Sequence, residues 1–159
     1  MTNTLSDNLT KFHLRHCSKN NFQQVKTLID TGNTCHVDGA ISKEIAKTLN
    51  YPIVPSKTKS VNSAGRQPIK VLGTIKNVKM RIQQQQQEIT VNLPEILVLD
   101  KLSVDLNLGR KFLENQNGIL KFQNSSSTLT INNANRFQFT NWMDPKCQER
   151  KTKLKVLHK

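Results

Sequence analysis

The most informative stretch of this sequence is VKTLIDTGN at residues 25–33. Its first part is rich in β-prone residues and ends in the apolar pair Leu28-Ile29, whereas Asp30, Gly32 and Asn33 are turn-forming residue types. The pattern therefore predicts a core strand that delivers Asp30 to a tight turn. Taken alone, the triplet is also compatible with an ordinary turn aspartate that makes a local hydrogen bond. A given triplet occurs by chance in roughly a few per cent of chains of this length.

On either side of this turn, periodicity predicts a mostly β domain with one or two short helices. Apolar residues at helical spacing predict a helix over residues 41–49. A hairpin with the small-residue tip Ser63-Ala64-Gly65 follows, and the glutamine run at 83–87 is predicted to be an exposed hairpin loop. A second short apolar strand at residues 106–108 ends in Gly109-Arg110 and leads into one or two helical turns.

The length of 159 residues allows one domain with an extension at each end. Residues 1–23 are polar and aperiodic, which predicts a flexible leader before a domain at residues 24–132. Beyond this domain the periodicity is lost, and residues 133–159 are predicted to form a basic tail or spacer. Apolar residues make up only 35% of the chain, so we expect a core of modest size.

The formal net charge of +13 would allow weak, non-specific contact between the basic tail and nucleic acid. A solvated extension is the simpler interpretation of the same charge. The three cysteines, Cys17, Cys35 and Cys147, are odd in number and have no paired spacing, which favours a reducing compartment. They form no zinc-binding spacing with the histidines, and no apolar run approaches membrane-spanning length, so we expect no metal, no cofactor and no membrane contact.

Four segments of the chain occur in a recognisable order. They are LIDTGN at 28–33, ISKEIAKTL at 41–49, VNSAGRQPIKVLGTI at 61–75 and LNLGRKFLEN at 106–115. In order and spacing they resemble the retropepsins, the aspartic proteases of retroviruses and retrotransposons. The resemblance implies a retropepsin-like acid protease β-barrel that is active as a homodimer. It also implies an aspartic endopeptidase that processes a Gag-Pol-like polyprotein, in the cytoplasm or within a virus-like particle.

The same resemblance assigns catalysis to Asp30, Thr31 and Gly32. Two carboxylates held close together can share one proton: one takes a proton from the attacking water and the other polarises the substrate carbonyl. Because the chain contains a single Asp-Thr-Gly, the second carboxylate must come from Asp30 of a second copy across a two-fold axis. The expected partners are therefore a second copy of the chain and a polypeptide substrate.

The resemblance assigns further roles to the loops around Asp30. It implies substrate contacts for Asn33, Ser63, Ala64 and Gly65. It implies structural support from Gly109 and Arg110, the arginine usually pairing with a carboxylate two residues after the active-site glycine.

The chain departs from this family pattern at four positions, which are Asn33, Thr34, Asn107 and Lys111. These departures leave open a second hypothesis, a catalytically silent retropepsin-fold module for dimerisation or interaction. A third hypothesis, a basic nucleic-acid-binding protein, rests on the net charge alone.

Overall fold

The structure, a computed structural model, describes residues 10–63, 65–123 and 126–140. These residues form eleven strands and two short helices. In chain order they are β1 (Lys11–Arg15), β2 (Phe22–Val25), β3 (Thr27–Ile29), β4 (Gly39–Ser42), α1 (Lys43–Thr48), β5 (Ser60–Asn62), β6 (Pro68–Gln84), β7 (Gln87–Leu99), β8 (Leu106–Leu108), α2 (Arg110–Asn115), β9 (Ile119–Gln123), β10 (Ser126–Ile131) and β11 (Asn135–Thr140). The predicted mostly β architecture with short helices is confirmed.

The main sheet is built around the long hairpin of β6 and β7. Its strands follow the order β2-β1-β6-β7-β4-β8-β3, with β5 paired to β6. The β6–β7 hairpin turns inside the glutamine run, where Gln84 pairs with Gln87 and Gln85 adopts a φ of +54°. The predicted hairpin is confirmed, but its exposed loop is only residues 85–86, because Gln83 and Gln84 belong to β6 and Gln87 belongs to β7. A smaller sheet has the order β11-β10-β9.

The core lies between the long hairpin, helix α2 and the small sheet. Alternate residues of β6 point inward because successive side chains of a strand face opposite sides. Their inward side chains pack with residues from β1, β8, α2 and β11. Members that are fully buried include Leu14, Ile75, Met80, Ile82, Leu106, Phe112 and Phe137.

Strand β4 and helix α1 differ from the predicted helix over residues 41–49. Ile41 belongs to β4, and the helix begins only after Ser42, whose Oγ accepts a hydrogen bond from the Ile45 N–H at 3.2 Å. All four residues of β4 are buried, because the strand lies between β7 and β8. A strand buried on both faces shows no alternation, so its sequence can be mistaken for the first turn of a helix.

The predicted flexible leader is wrong for the part of it that the structure describes. Strand β1 pairs with both β2 and β6, and its side chains Phe12 and Leu14 are buried in the core. The sequence hid this strand because only two apolar side chains, at alternate positions, mark it. Residues 1–9 lie outside the described part of the chain.

The predicted domain limit at residue 132 is also too early. Strand β11 pairs with β10, and Phe137 is fully buried. The preceding turn is tight, with positive φ at Asn132 and Asn133, and asparagine tolerates this conformation better than most residues. Any basic tail therefore starts after β11, and residues 141–159 lie outside the described part of the chain.

Candidate active site

Asp30 is positioned by the parallel pairing of β3 with β8. In this register Leu28 pairs with Asn107 and Ile29 pairs with Leu108. The backbone N–H of Asp30 then donates to the Leu108 carbonyl at 2.8 Å. The ladder of hydrogen bonds therefore extends to Asp30 itself, so the aspartate stands at the end of a strand, as the sequence predicted. The strand is not the predicted core strand, because β3 is half-buried and lies at the edge of the sheet.

Both oxygens of the Asp30 carboxylate accept hydrogen bonds from within the chain. The backbone N–H of Gly32 donates to Oδ1 at 3.0 Å, and Nδ2 of Asn107 donates to Oδ2 at 3.2 Å. The N–H of Asn33 closes the turn by donating to the Asp30 carbonyl at 3.0 Å. Asp30 is half-buried, so these donors fix the orientation of a carboxylate that is still open to solvent.

Asn33 connects residues 30–38, which follow β3 and which we call the active-site loop, to the start of helix α2. Its Oδ1 accepts from the Cys35 N–H at 3.1 Å, and its Nδ2 donates to Oδ1 of Asn107 at 2.9 Å. Its backbone carbonyl accepts from the Arg110 N–H at 2.9 Å. Asn33 therefore braces the loop through its hydrogen bonds. It also borders the cleft, and its contact with substrate stays a prediction.

The other two residues of the triplet differ in position. Gly32 supplies the N–H bound to Asp30 and borders the cleft. Thr31 is exposed and is not among the described residues that border the cleft. A catalytic contribution of Thr31 stays a prediction from the family resemblance.

A cleft of about 1090 Å³ opens in front of Asp30. The described residues that border it belong to strands β3, β4, β7 and β8, to the loop that follows β3, to the loop at residues 101–103, and to a hairpin that we call the flap hairpin. This hairpin is made of β5, the described residues of the turn that follows β5, and the start of β6. Apolar side chains supply much of the lining, namely Leu28, Val61, Ile69, Leu97, Leu99 and Leu102. Such a lining suits the side chains of a bound peptide.

The tip of the flap hairpin is closed by its own backbone. The Ser63 N–H donates to the Gln67 carbonyl at 2.8 Å, and the Arg66 N–H donates to the Ser63 carbonyl at 2.8 Å. Ser63 and Gly65 border the same cleft as Asp30, and their predicted contact with substrate stays a prediction. Ala64, also predicted to bind substrate, lies outside the described residues.

Gly109 allows β8 and the active-site loop to approach each other closely. A Cβ at Gly109 would lie 2.7 Å from the Asn33 carbonyl oxygen. Its N–H donates to the Asp38 carbonyl at 3.0 Å. These contacts agree with the structural role predicted for Gly109.

Arg110 contributes its backbone N–H rather than a visible ion pair. Its side chain is exposed, and within residues 10–63, 65–123 and 126–140 no carboxylate lies at ion-pair distance from it. This agrees with the sequence, which has Thr34 where the family usually has the carboxylate partner.

Asp38 is a buried carboxylate that sequence analysis did not assign to the site. It is 2% exposed, and its Oδ1 accepts from Nδ2 of Asn115 at 3.0 Å. Its backbone links β7 to β8, because its N–H donates to the Glu95 carbonyl at 3.1 Å and its carbonyl accepts from Gly109. Asp38 therefore connects the end of the active-site loop to β7 and to the start of helix α2. The only signal in the sequence was an acidic residue next to a glycine, which is usually a surface turn.

Three other titratable side chains border the cleft, and they are Cys35, His36 and Lys101. Burial raises the pKa of the Cys35 thiol above its ordinary value, and a hydrogen bond to the backbone partly offsets this. The Cys35 thiol is therefore neutral at physiological pH. Outside the cleft, Lys43 and Asp100 form an ion pair at 2.8 Å on the surface.

Two predicted absences can be compared with the described part of the chain. Among those residues no group of three or more His, Cys, Asp or Glu side chains is arranged to hold a metal ion. None of the helices described there has the length and apolar character needed to cross a membrane.

Comparisons with known proteins support the fold. No protein family model matches the chain, and no curated protein sequence matches it. Among solved structures, it is similar to the retroviral protease-like domain of Ddi1 from Leishmania major, with a TM-score of 0.51 and 14% sequence identity, over 86% of this chain and 98% of that chain. At this identity the likeness establishes the fold and leaves the retroelement origin a prediction. The chain therefore has a retropepsin-like fold, mostly β with two short helices among the described residues.

Proposed function

We propose that the chain is an aspartic endopeptidase that hydrolyses peptide bonds with a water molecule activated by two copies of Asp30. The observation that best supports this is the position of Asp30, a half-buried carboxylate held by two donors at the wall of a large cleft. The retropepsin-like fold and the flap hairpin that borders the same cleft agree with this function.

The chemistry requires two carboxylates that share one proton. The ionised carboxylate takes a proton from water while the water oxygen attacks the carbonyl carbon, and the protonated carboxyl gives its proton to the carbonyl oxygen. The resulting diol breaks its C–N bond as the first carboxyl, now protonated, gives its proton to the leaving nitrogen and the second carboxylate takes a proton from a diol hydroxyl, which restores the starting state of the pair. Neither a metal ion nor a redox partner takes part in this sequence.

The second carboxylate must come from another copy of the chain. Among the described residues that border the cleft, Asp30 is the only one with a carboxylate. Two-fold symmetry would bring an identical Asp30 to the same site. The active form would then be a homodimer, and specific activity should rise with protein concentration around the dimer dissociation constant.

An extended polypeptide is the substrate that best fits the cleft. The flap hairpin borders the same cleft as Asp30, so its backbone could pair with the backbone of a substrate strand. Because the lining is largely apolar, we expect apolar side chains on either side of the cleaved bond. Processing of a polyprotein that includes the chain itself is the specific form of this activity that the sequence resemblance suggests.

Asp30→Asn is the direct test, because it removes the carboxylate and keeps nearly the same shape. We expect the parent protein to cleave a mixed peptide library, and a fusion carrying additional flanking sequence, whereas Asp30→Asn should cleave neither. Asp100→Asn is the matched control, since Asp100 lies on the surface in an ion pair with Lys43. Surface ion pairs contribute little to stability, so this control should keep parent activity.

Cleavage by Asp30→Asn at the parent rate would contradict the proposal. The proposal would also be contradicted if the specific activity of the parent stayed constant when the protein was diluted through its measured monomer–dimer transition. Both measurements require folding to be checked by circular dichroism and the oligomeric state by analytical ultracentrifugation.

A second candidate function is a dimerisation or interaction module without catalysis. The specific observation in its favour is the exposed Arg110, which lacks an ion-pair partner among the described residues. This alternative predicts a folded dimer whose parent form cleaves no peptide at any pH between mildly acidic and neutral.

A further inference from the structure

We infer that Asn33 and Asn107 are positioning residues that form a one-way hydrogen-bond relay, which runs from the Cys35 backbone to Asp30 and fixes a donor on one oxygen of its carboxylate. The consequence for catalysis rests on the proposed function. The relay itself can be measured whether or not the chain cleaves peptides.

The direction of the relay is fixed at its first step. A backbone N–H can only donate, so the group that faces Cys35 N at 3.1 Å must be the amide oxygen of Asn33. The amide nitrogen of Asn33 therefore faces Asn107, and it donates to Oδ1 at 2.9 Å. This leaves Nδ2 of Asn107 to donate to Oδ2 of Asp30 at 3.2 Å. No amide in the chain of bonds can be turned around without breaking a bond elsewhere.

The relay is held in place by the surrounding backbone. Asn107 is fixed in β8 by its pairing with Leu28, and it also pairs with Ala40 on β4. Asn33 is held against the next helix by the Arg110 N–H, in the space left by the missing side chain of Gly109. Both amides are part-buried, so water competes with them only weakly.

The relay contributes one of the two donors that contact the Asp30 carboxylate. A hydrogen bond donated to a carboxylate stabilises its ionised form relative to its protonated form. With Gly32 N–H on Oδ1 and Asn107 on Oδ2, each oxygen has one lone pair already occupied. In a dimer, a shared proton would be confined to the lone pairs that remain.

Other ionisable side chains face the cleft or pack against the active-site loop. Those that border the cleft are Cys35, His36 and Lys101, and the exposed Arg110 lies on the adjoining helix. Behind the loop, the buried Asp38 has its carboxylate oxygens turned to Asn115 and to the Glu95 N–H. None of these groups is changed in the variants used to test the relay.

Two substitutions break the relay in different ways. Asn107→Leu removes the donor to Asp30 and places an apolar residue in an apolar strand. Asn33→Asp keeps the shape and still accepts from Cys35 N, but it cannot donate to Asn107. We expect the Asn107 amide then to rotate, so that its nitrogen donates to residue 33 and its oxygen faces Asp30. Two oxygen acceptors that face each other repel unless Asp30 carries a proton that it can donate.

The readout is the titration of the Asp30 carboxyl carbon, followed by ¹³C NMR with the full chain, together with the pH profile of kcat/KM. Loss of one hydrogen bond to a charged group should move the titration midpoint, and the acidic limb of the profile, up by about one pH unit in Asn107→Leu. Asn33→Asp should move the titration midpoint and the acidic limb further, because it adds a nearby negative charge and also turns the Asn107 amide. The exposed Asn92→Asp, which adds the same charge outside the cleft, should move neither.

The double variant separates the relay from simple charge repulsion. In the Asn107→Leu background there is no amide to turn, so Asn33→Asp should produce a smaller shift than it does in the parent. Equal shifts in the two backgrounds would overturn the inference. Should Asn107→Leu not fold, Asn33→Ala frees the Asn107 amide without adding charge, and an unchanged midpoint in that variant would overturn the inference equally.

The two hypotheses fail in different ways. A parent protein that cleaves nothing, but whose Asp30 titration responds to the variants as described, would refute the proteolytic function and support the relay. A parent that cleaves peptides, with variants whose titration and pH profile match its own, would support the function and refute the relay.

Discussion

Replacing Gly109 with alanine should damage the active-site loop, because that loop occupies the space of the missing side chain. The added Cβ would lie 2.7 Å from the Asn33 carbonyl oxygen and 2.8 Å from Asn33 Cγ. Ordinary contacts begin at 3.4 Å, so the loop would have to retreat by roughly 0.7 Å. The backbone of Gly109, at φ −105° and ψ −166°, is extended and open to any residue, so steric overlap is the whole cost.

We expect Gly109→Ala to lower the free energy of unfolding by about 1–3 kcal/mol, which is typical of overpacking. We also expect kcat/KM to fall by about tenfold to a hundredfold, because Asn33 lies in the loop that carries Asp30 and small misplacements at a reacting group are costly. Urea denaturation at fixed protein concentration and peptide hydrolysis measure the two effects. Gly65→Ala is the stability control, since its Cβ would lie 3.9 Å from the nearest atom, Ser63 Oγ. If Gly109→Ala is as stable as this control, the steric argument is refuted.

The corrected domain limits and the state of the cysteines give three more predictions. Phe137→Ala should cost about 3–5 kcal/mol in urea denaturation, because the ring is fully buried, whereas a change at its exposed neighbour, Gln138→Ala, should stay within about 0.5 kcal/mol. Leu14→Ala should cost about 2–5 kcal/mol, and a loss near zero would restore the leader interpretation. Iodoacetamide should modify the exposed Cys17 faster than Cys35 at neutral pH, because burial raises the pKa of Cys35 and lowers its thiolate fraction; equal rates by mass spectrometry would contradict this.

Local patterns in the sequence were enough to predict the strand into Asp30, the glutamine hairpin and the end of β8 at Gly109. Each of these features is encoded by neighbouring residues, through apolar runs and turn-forming residue types. Strands β1, β4 and β11 were missed for a different reason. They are short. Strands β1 and β4 form by pairing with the distant strands β6 and β7, whereas β11 forms a hairpin with the preceding strand β10. Tertiary pairing of this kind overrides weak local preference.

The details of the candidate site were less accessible from sequence than its location. The sequence marked Asn33 and Asn107 as departures from the family pattern, but their 74-residue separation concealed that they bond to each other. Only the register of β3 with β8 brings Asn107 beside Asp30. Asp38 was overlooked because burial, which gives it its role, depends on packing between β7 and β8.

The two departures are better explained together than separately. An asparagine in an apolar strand would leave a buried amide in need of partners, and an asparagine after the triplet would crowd the start of α2. In this chain Asn107 finds its partners in Asn33 and Asp30, and the space beside Gly109 accommodates Asn33. Each asparagine therefore offsets the cost of the other. We expect a chain that keeps only one of the two to be less stable than a chain in which both are replaced by apolar residues. This argues against interpreting them as signs of decay, because random substitutions would not be expected to leave a continuous hydrogen-bond relay that ends on the Asp30 carboxylate.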